Sequence, residues 1–342
     1  MLKILKPIKK PVLIGEVSCN HNGKLQNAKK IIDTAVKYGV DLIKFQTYSA
    51  SSLTINSKKK DFLIKKGLWK GRKLWDLYKK AQTPFIWQKS LFDLLKKKKI
   101  KCFSSPFDEK AVDLLEELNC PIYKVASFEI NHLPLIKKIS ETKKPIIIST
   151  GTSQLKEIDI AFNFAQKNGC KDIILLYCVS NYPSEIKDFN LKNINLMKKR
   201  YNCRVGFSDH SIDNRVASAA VLAGADYVEK HIALEGQKKS FDIKFSIKGK
   251  EILKFRDDIN VAWTLRGRSY FYRNNSEKIS KIFKRSIYPV KTINKGQKFT
   301  KENISVIRPG FSLDPSYYYK LLKKRANKKL NPGQRIILKD VI

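Results

Sequence analysis

No apolar run in the 342-residue chain approaches the length of a membrane span, so no transmembrane helix is expected. The basic opening, Met1-Leu-Lys-Ile-Leu-Lys-Pro-Ile-Lys-Lys10, interrupts its apolar residues with charge every few positions, and a secretory leader is not expected either. Cysteine is sparse: Cys19, Cys102, Cys120, Cys170, Cys178 and Cys203 form no close pairs, and several fall inside apparent strands. Reduced thiols in a cytoplasmic protein follow from that spacing. Acidic residues are also few, 31 against 69 Lys and Arg, for a net charge of +38. Such a balance invites a nucleic-acid reading. Arginine, however, accounts for only 12 of the basic residues against 57 lysines, spread along the whole chain. Duplex readers favour Arg, and single-strand binders favour concentrated basic–aromatic stripes. Nucleic acid is therefore excluded as the main partner; the charge serves instead to draw in an anionic substrate.

What is present is a repeating unit: a strand of about six residues, a polar turn, then an amphipathic helix. Strands are predicted at 12–17, 41–46, 101–105, 122–127, 145–150, 173–178, 204–209 and 227–232. Helices are predicted between them, for example at 25–38, 111–118, 155–168 and 214–222, the first and third ending at Gly39 and Gly169. Eight such units predict a (β/α)₈ TIM barrel rather than an open sheet. The insertion at 49–83 is longer than a simple crossover and is expected to overhang the barrel mouth. The barrel domain is assigned to 1–265, a linker to 266–284 and a small β-rich domain to 285–342, in which 285–293 alternates like a strand and 331–337 repeats the same character.

Chemistry in a barrel gathers at the C-terminal ends of the strands. Those ends carry Glu16; Lys44 and Gln46; Ser104 and Ser105; Lys124, Ser127 and Glu129; Ser149 and Thr150; Ser180; Ser208 and His210; Glu229 and His231. An interior layer would ordinarily be Val, Ile and Leu. Strand side chains alternate faces, so Ser208 shares a side with His210, and Glu229 with His231. If the last two strands are neighbours, both imidazoles stand at one sheet edge, as half of a divalent-metal shell. Lys44 and Lys124 lie in otherwise apolar strands, and a buried ammonium needs an anion. Lysines with serine hydroxyls, and no Gly-rich nucleotide loop, suit a small phosphorylated acid. His132 reads as structural, whereas His21 is open to a turn role or a site role. Lys124 also fits a Schiff-base lysine on a barrel strand.

Seven stretches resemble the sialic acid synthase family: Glu16-Val-Ser-Cys-Asn-His-Asn-Gly23, Lys44-Phe-Gln-Thr47, Ser104-Ser-Pro-Phe107, Tyr123-Lys-Val-Ala-Ser-Phe-Glu129, Ser149-Thr-Gly151, Ser208-Asp-His210 and Glu229-Lys-His231. Residues 285–342 resemble that family's antifreeze-like (SAF) domain. Three further stretches are similar to the branch that uses a 2,4-diacetamido-2,4,6-trideoxy-L-altrose: Gln46-Thr-Tyr-Ser-Ala-Ser-Ser-Leu-Thr-Ile-Asn56, Gly67-Leu-Trp69 with Thr83-Pro-Phe-Ile-Trp87, and Arg308-Pro-Gly-Phe-Ser-Leu-Asp-Pro315.

The resemblance implies an enzyme that condenses phosphoenolpyruvate with an open-chain acetamido sugar and releases phosphate. It implies His210 and His231 as ligands of a divalent cation, Mn²⁺ first, with Mg²⁺ or Co²⁺ as alternatives. Lys44, Gln46, Ser105, Lys124, Ser127, Ser149 and Ser208 would line the phosphoenolpyruvate pocket, with Glu16, Asp242 and Tyr182 toward the sugar. Glu16 or the metal would move protons, and Arg308 would reach in from the partner of a domain-swapped homodimer. Two departures stand out: Ser180-Asn181 where the sialic acid branch has Asn, and Lys238-Lys-Ser-Phe-Asp242 on the approach to Asp242. Branches making N-acetylneuraminate or legionaminate remain alternatives. More distant ones are a Schiff-base aldolase using Lys124 and a non-catalytic carbohydrate-binding protein.

Overall fold

The chain divides into two compact units, with the boundary after Gly267. The structure, a computed structural model, describes residues 8–267 and 270–342. The basic opening through residue 7, and residues 268 and 269 of the expected linker, lie outside the described residues.

In the first unit, eight strands pair in sequence order, all in parallel, and close by pairing of the first with the last. They are β1 (Val12–Glu16), β2 (Leu42–Thr47), β3 (Lys101–Pro106), β4 (Tyr123–Val125), β5 (Ile146–Ser149), β6 (Ile173–Cys178), β7 (Arg204–Asp209) and β8 (Tyr227–Ala233). This is the TIM barrel the sequence predicts, each strand within about three residues of its expected bounds. Both faces of such strands are covered, so they read as apolar runs, as in Ile146-Ile-Ile-Ser149, which is buried throughout. The surrounding helices bury one stripe each: Leu25–Lys37 turns Ala28, Ile31, Ile32 and Ala35 inward, at helical spacing. Gly39 and Gly169, just past two helices, take left-handed φ of 87° and 105°, as a helix stop requires. At the closed end, Arg256 is buried and bonds Pro11 O at 2.9 Å and the Asp41 carboxylate at 2.8 Å, tying the last helix of the unit, Glu251–Arg266, to the first two strands. A two-residue strand, β9 (Ile247–Lys248), adds to β8.

The 49–83 insertion folds into two short helices, Ala50–Leu53 and Leu74–Ala81, linked across a bridge between Leu63 and Lys73. All six cysteines are free thiols. No helix among the described residues is long and apolar enough to cross a membrane.

The second unit packs Ile287, Ile293, Phe299, Ile304, Leu313, Leu321, Ala326, Leu330 and Ile336 into its own core. Its ladder is shorter than the sequence predicts. Among the described residues, β10 (Ser286–Pro289) and β11 (Ile304–Ile307) form its one two-stranded, antiparallel sheet. The rest of 285–293 holds on through a single bridge, Ile293 to Leu330, and 331–337 is a turn and coil segment around Gly333. The alternation there records which side chains enter the small core, not ladder pairing.

Candidate active site

Four charged side chains occupy the barrel interior where an aliphatic layer would otherwise sit. Parallel register places Glu16 beside both Lys44 and His231, and Ser208 beside Glu229. Lys44 Nζ lies 2.7 Å from Glu16 Oε2 and 2.9 Å from Glu229 Oε1, with all three side chains buried. Burial alone would push this ammonium down, but the two carboxylates outweigh it and hold Lys44 above its ordinary pKa. Lys124 is held more loosely, 3.9 Å from Glu229 Oε1. Burial, which Glu229 only partly offsets, pulls it down to about 8, and nearby Lys44 adds to the pull. Glu229 accepts a hydrogen bond from Ser208 Oγ at 3.0 Å. Burial works to raise its pKa, yet the two lysines hold the carboxyl below the usual range. Two ammonium groups and two carboxylates leave the cluster near neutrality, and Lys124 is its least satisfied cation.

Hydroxyls stand along the strand that carries Lys124 and its two neighbours: Ser105 on β3, Ser127 just past β4 and Ser149 on β5. Ser127 Oγ accepts from Gly151 N at 3.1 Å and touches Cys178 Sγ at 3.1 Å. That backbone approach explains the glycine: a Cβ on Gly151 would lie 2.8 Å from Cys178 Sγ, 2.9 Å from Ser127 Oγ and nearer still to Ser180 Oγ. Ser105 Oγ and Ser149 Oγ are buried without a hydrogen-bond partner, as are Glu129 Oε2 and Glu229 Oε2. Each such orphan costs roughly 1–3 kcal/mol. Several at one set of strand ends mark a place where a polar ligand completes the bonding. Burial raises the Glu129 carboxyl to about 7, against a smaller opposing pull from Lys124.

The imidazoles of His210 and His231 stand edge to face, with centroids 5.6 Å apart. His210 Nδ1 lies 3.2 Å from Val179 O, which assigns it the proton and leaves the Nε2 lone pair free. Burial and the neighbouring His231 lower His210 to about 3, so its ring is neutral near pH 7. His231 Nδ1 lies 3.2 Å from Asp242 Oδ2, close enough for an ion pair though not aligned as a hydrogen bond. Burial acts to raise the Asp242 pKa, but His231 and the 2.5 Å bond from Ser18 Oγ outweigh it and hold the carboxyl below its ordinary value. Among the described residues, no three or more His, Cys, Asp or Glu side chains are grouped to hold an ion. The protein contributes a sparse shell: two imidazole nitrogens with a carboxylate behind one of them. That donor set fits a divalent cation that keeps positions for water and substrate oxygen.

These groups open into one cavity of about 400 Å³, lined by Lys44, Gln46, Lys124, Ser127, Glu129, Ser149, Tyr182, Ser208, His210, Glu229, His231 and Asp242. Its outer wall is apolar, and much of it comes from the 49–83 insertion: Leu53, Ile64, Trp69, Leu74, Leu77 and Tyr78. Trp69 stacks on Tyr182 at 5.5 Å, and Tyr182 in turn lies 4.4 Å from the His210 ring. The expected overhang thus reaches the reacting end of the site.

Residues 31–270 match the NeuB family, and residues 284–342 match the SAF domain. The chain belongs to the NeuB family. It is 39% identical over 328 residues to a pseudaminic acid synthase of Campylobacter jejuni, covering 96% of each chain. It is 37% identical over 333 residues to a pseudaminic acid synthase of Helicobacter pylori, covering 97% of this chain and 98% of the other. Among solved structures, an N-acetylneuraminic acid synthetase of Leptospira borgpetersenii superposes with a TM-score of 0.71 at 28% identity, covering 80% of this chain and 90% of that one.

In this NeuB-family chain the expected site residues do not all stand alike. Glu16 and Ser105 are buried behind the cavity rather than lining it. Glu16 pairs its carboxylate with Lys44 and accepts from the Ser18 amide, each at 2.7 Å. Arg308 is exposed on the second unit, directly after β11. Of the Ser180-Asn181 pair, Ser180 turns toward Gly151 and Cys178, while Asn181 is exposed. His132 caps the helix Leu133–Glu141 by accepting from Leu135 N. His21 takes the turn role: its ring is buried, with Nδ1 accepting from Gly23 N at 3.0 Å and Nε2 3.1 Å from Thr83 Oγ1.

Sequence reasoning missed two things. Glu129 was visible only as one more polar residue past β4, and its raised pKa depends on burial that no local pattern reports. The apolar wall was missed because Leu53, Ile64 and Trp69 come from irregular parts of the insertion, and the helical spacing of Leu74, Leu77 and Tyr78 does not tell a cavity wall from an ordinary core face.

Proposed function

We propose that this protein is a pseudaminic acid synthase. It joins phosphoenolpyruvate to 2,4-diacetamido-2,4,6-trideoxy-L-altrose and water, giving pseudaminate and phosphate. The observation that carries the reading is the loosely paired Lys124 with the partnerless Ser149 hydroxyl beside two metal-ready imidazoles, in a cavity with room for two small substrates. The identities to pseudaminic acid synthases support the choice of branch.

Lys124, Ser149 and Ser127 bind the phosphate and carboxylate of phosphoenolpyruvate. Lys44, fixed by Glu16 and Glu229, presents its remaining N–H to the same anion. His210 and His231 would hold a divalent cation, Mn²⁺ ahead of Mg²⁺ or Co²⁺, which when bound acts as a Lewis acid on the sugar aldehyde. Gln46, Tyr182 and Asp242 orient the sugar, and the insertion's apolar wall takes its methyl groups and excludes water. The reaction forms a bond between the enol carbon and the aldehyde carbon, adds water at carbon 2 of phosphoenolpyruvate and breaks that carbon's bond to the phosphate oxygen.

Proton transfer falls to Glu129 rather than to Glu16, since Glu129 lines the cavity and titrates near neutrality. An arriving phosphoenolpyruvate anion disfavours the carboxylate form further, so Glu129 enters the reaction protonated and donates to the departing phosphate. Activity should therefore fall as pH rises through and above about 7, where this acid is lost. Glu129→Gln is expected to lower turnover by about 10²- to 10⁴-fold and to remove that alkaline limb. A variant that keeps the limb in place would assign the proton elsewhere.

Arg308 belongs to this reading as a group supplied by the second copy of a domain-swapped homodimer. Mixing Arg308→Ala with His231→Ala protein under verified subunit exchange should restore activity, and no restoration would exclude a role in trans. The depressed pKa of Lys124 also favours a Schiff-base aldolase. Borohydride with substrate would trap that enzyme at Lys124, and no adduct is expected here. The branch is tested by phosphate release from phosphoenolpyruvate and Mn²⁺ with a sugar panel. The diacetamido altrose should exceed N-acetylmannosamine and the legionaminate precursor in kcat/KM; preference for either of those moves the protein to another branch.

A further inference from the structure

A second buried charge cluster lies on the opposite face of β7 and β8, between the barrel and its helices. Strand alternation sends Ser208, His210, Glu229 and His231 toward the cavity, and Asp209 and Lys230 away from it. Asp209 and Lys230 are register partners, and their side chains are buried, 0% and 1% exposed. Lys230 Nζ lies 2.8 Å from Asp209 Oδ2 and donates to Ser211 O at 2.6 Å. Asp209 Oδ1 accepts from Ser211 N at 2.8 Å and from Ser211 Oγ at 2.7 Å. One ammonium therefore grips the residues on both sides of His210, while its own chain neighbour is His231. The far side of His210 is closed by Ser184 N, which donates to His210 O at 3.0 Å. The Phe255 ring stands 5.9 Å from Lys230 Nζ.

We infer that the Asp209–Lys230–Ser211 knot is a positioning device that sets the spacing and aim of the two metal-binding imidazoles. It rests on the reading of His210 and His231 as metal ligands. A buried ion pair is weak support for stability, because well-packed neutral replacements are often as stable. Its value here is geometric: two short bonds from Lys230, to Asp209 Oδ2 and to Ser211 O, couple the backbone of one ligand to that of the other, and two more within 209–211 brace the turn around His210. Groups behind metal ligands commonly govern affinity in this way.

The test uses Asp209→Asn with Lys230→Met in the full chain. Asparagine keeps an acceptor for the Ser211 amide and methionine fills the lysine stem, so the fold is retained without the ammonium grip. Mn²⁺ binding is followed by electron paramagnetic resonance titration, with circular dichroism for the fold. The expected result is a folded double variant whose Mn²⁺ affinity is about 10- to 100-fold weaker than wild type. A folded double variant that binds Mn²⁺ as tightly as wild type overturns the inference alone. A wild type that binds no divalent cation overturns the reading of the histidines, and this inference with it. Should the double variant fail to fold, Lys230→Arg carries the same readout. It keeps the charge opposite Asp209 but replaces the compact ammonium with a planar fork. Weaker binding with the fold intact upholds the positioning role, and wild-type binding rejects it.

Discussion

Lys124→Met is expected to raise the KM for phosphoenolpyruvate by about 10²- to 10³-fold while changing the KM for the sugar little. The asymmetry follows from how the two interior lysines are held. Lys44 is clasped by two carboxylates within 2.9 Å, so much of its charge is already spent on the protein. Lys124 has only a 3.9 Å approach to Glu229, and burial leaves it at about 8, poised between charge states. An incoming anion supplies what this ammonium lacks, raising its pKa and drawing it fully into the charged form. Lys44→Met should act differently. It strands Glu16 and Glu229 as buried carboxylates, so it should lower thermal stability as well as activity. Steady-state kinetics with each substrate varied in turn separates these outcomes. Equal KM increases for both substrates on changing Lys124 would show that it does not hold the anion.

His210→Ala and His231→Ala are each expected to reduce turnover by at least about 10³-fold and to abolish tight Mn²⁺ binding, with the barrel intact. Two imidazoles are the nitrogen donors at this end of the cavity, and a sparse shell cannot spare one. His210 is pre-set as a ligand, because Val179 O fixes its tautomer and burial keeps it neutral down to about pH 3. Chelation should silence the wild type and added Mn²⁺ should restore it. Equilibrium dialysis alongside the assay distinguishes lost metal from lost fold. Full activity in an exhaustively chelated protein would remove the cation from the mechanism.

Much of this site is legible in the sequence because barrel geometry is periodic. Two-residue alternation places Ser208 with His210 and Glu229 with His231, and the closed sheet sets those strands side by side. The same alternation also contains the knot behind them. Asp209 and Lys230 are charged residues on the outward face of buried strands, an arrangement that demands mutual pairing. Glu16 shows where alternation stops informing. Its strand-end position is plain, but its pairing with Lys44 is a 2.7 Å contact between two strands that no single strand's pattern reports. The second unit differs again. With a core of nine buried side chains, it is held by crossing loops and isolated bridges, which alternation alone renders as longer strands than form.

The central claim, a condensation of two substrates with cleavage at carbon 2 of phosphoenolpyruvate, is tested most directly with phosphoenolpyruvate carrying ¹⁸O in its bridging oxygen. The labelled substrate is incubated with the diacetamido altrose, Mn²⁺ and the protein, and both products are analysed by mass spectrometry. The expected outcome is one nine-carbon 2-keto acid per phosphate released, with the ¹⁸O in the phosphate. Label retained in the keto acid, or phosphate released without loss of the sugar, would contradict it.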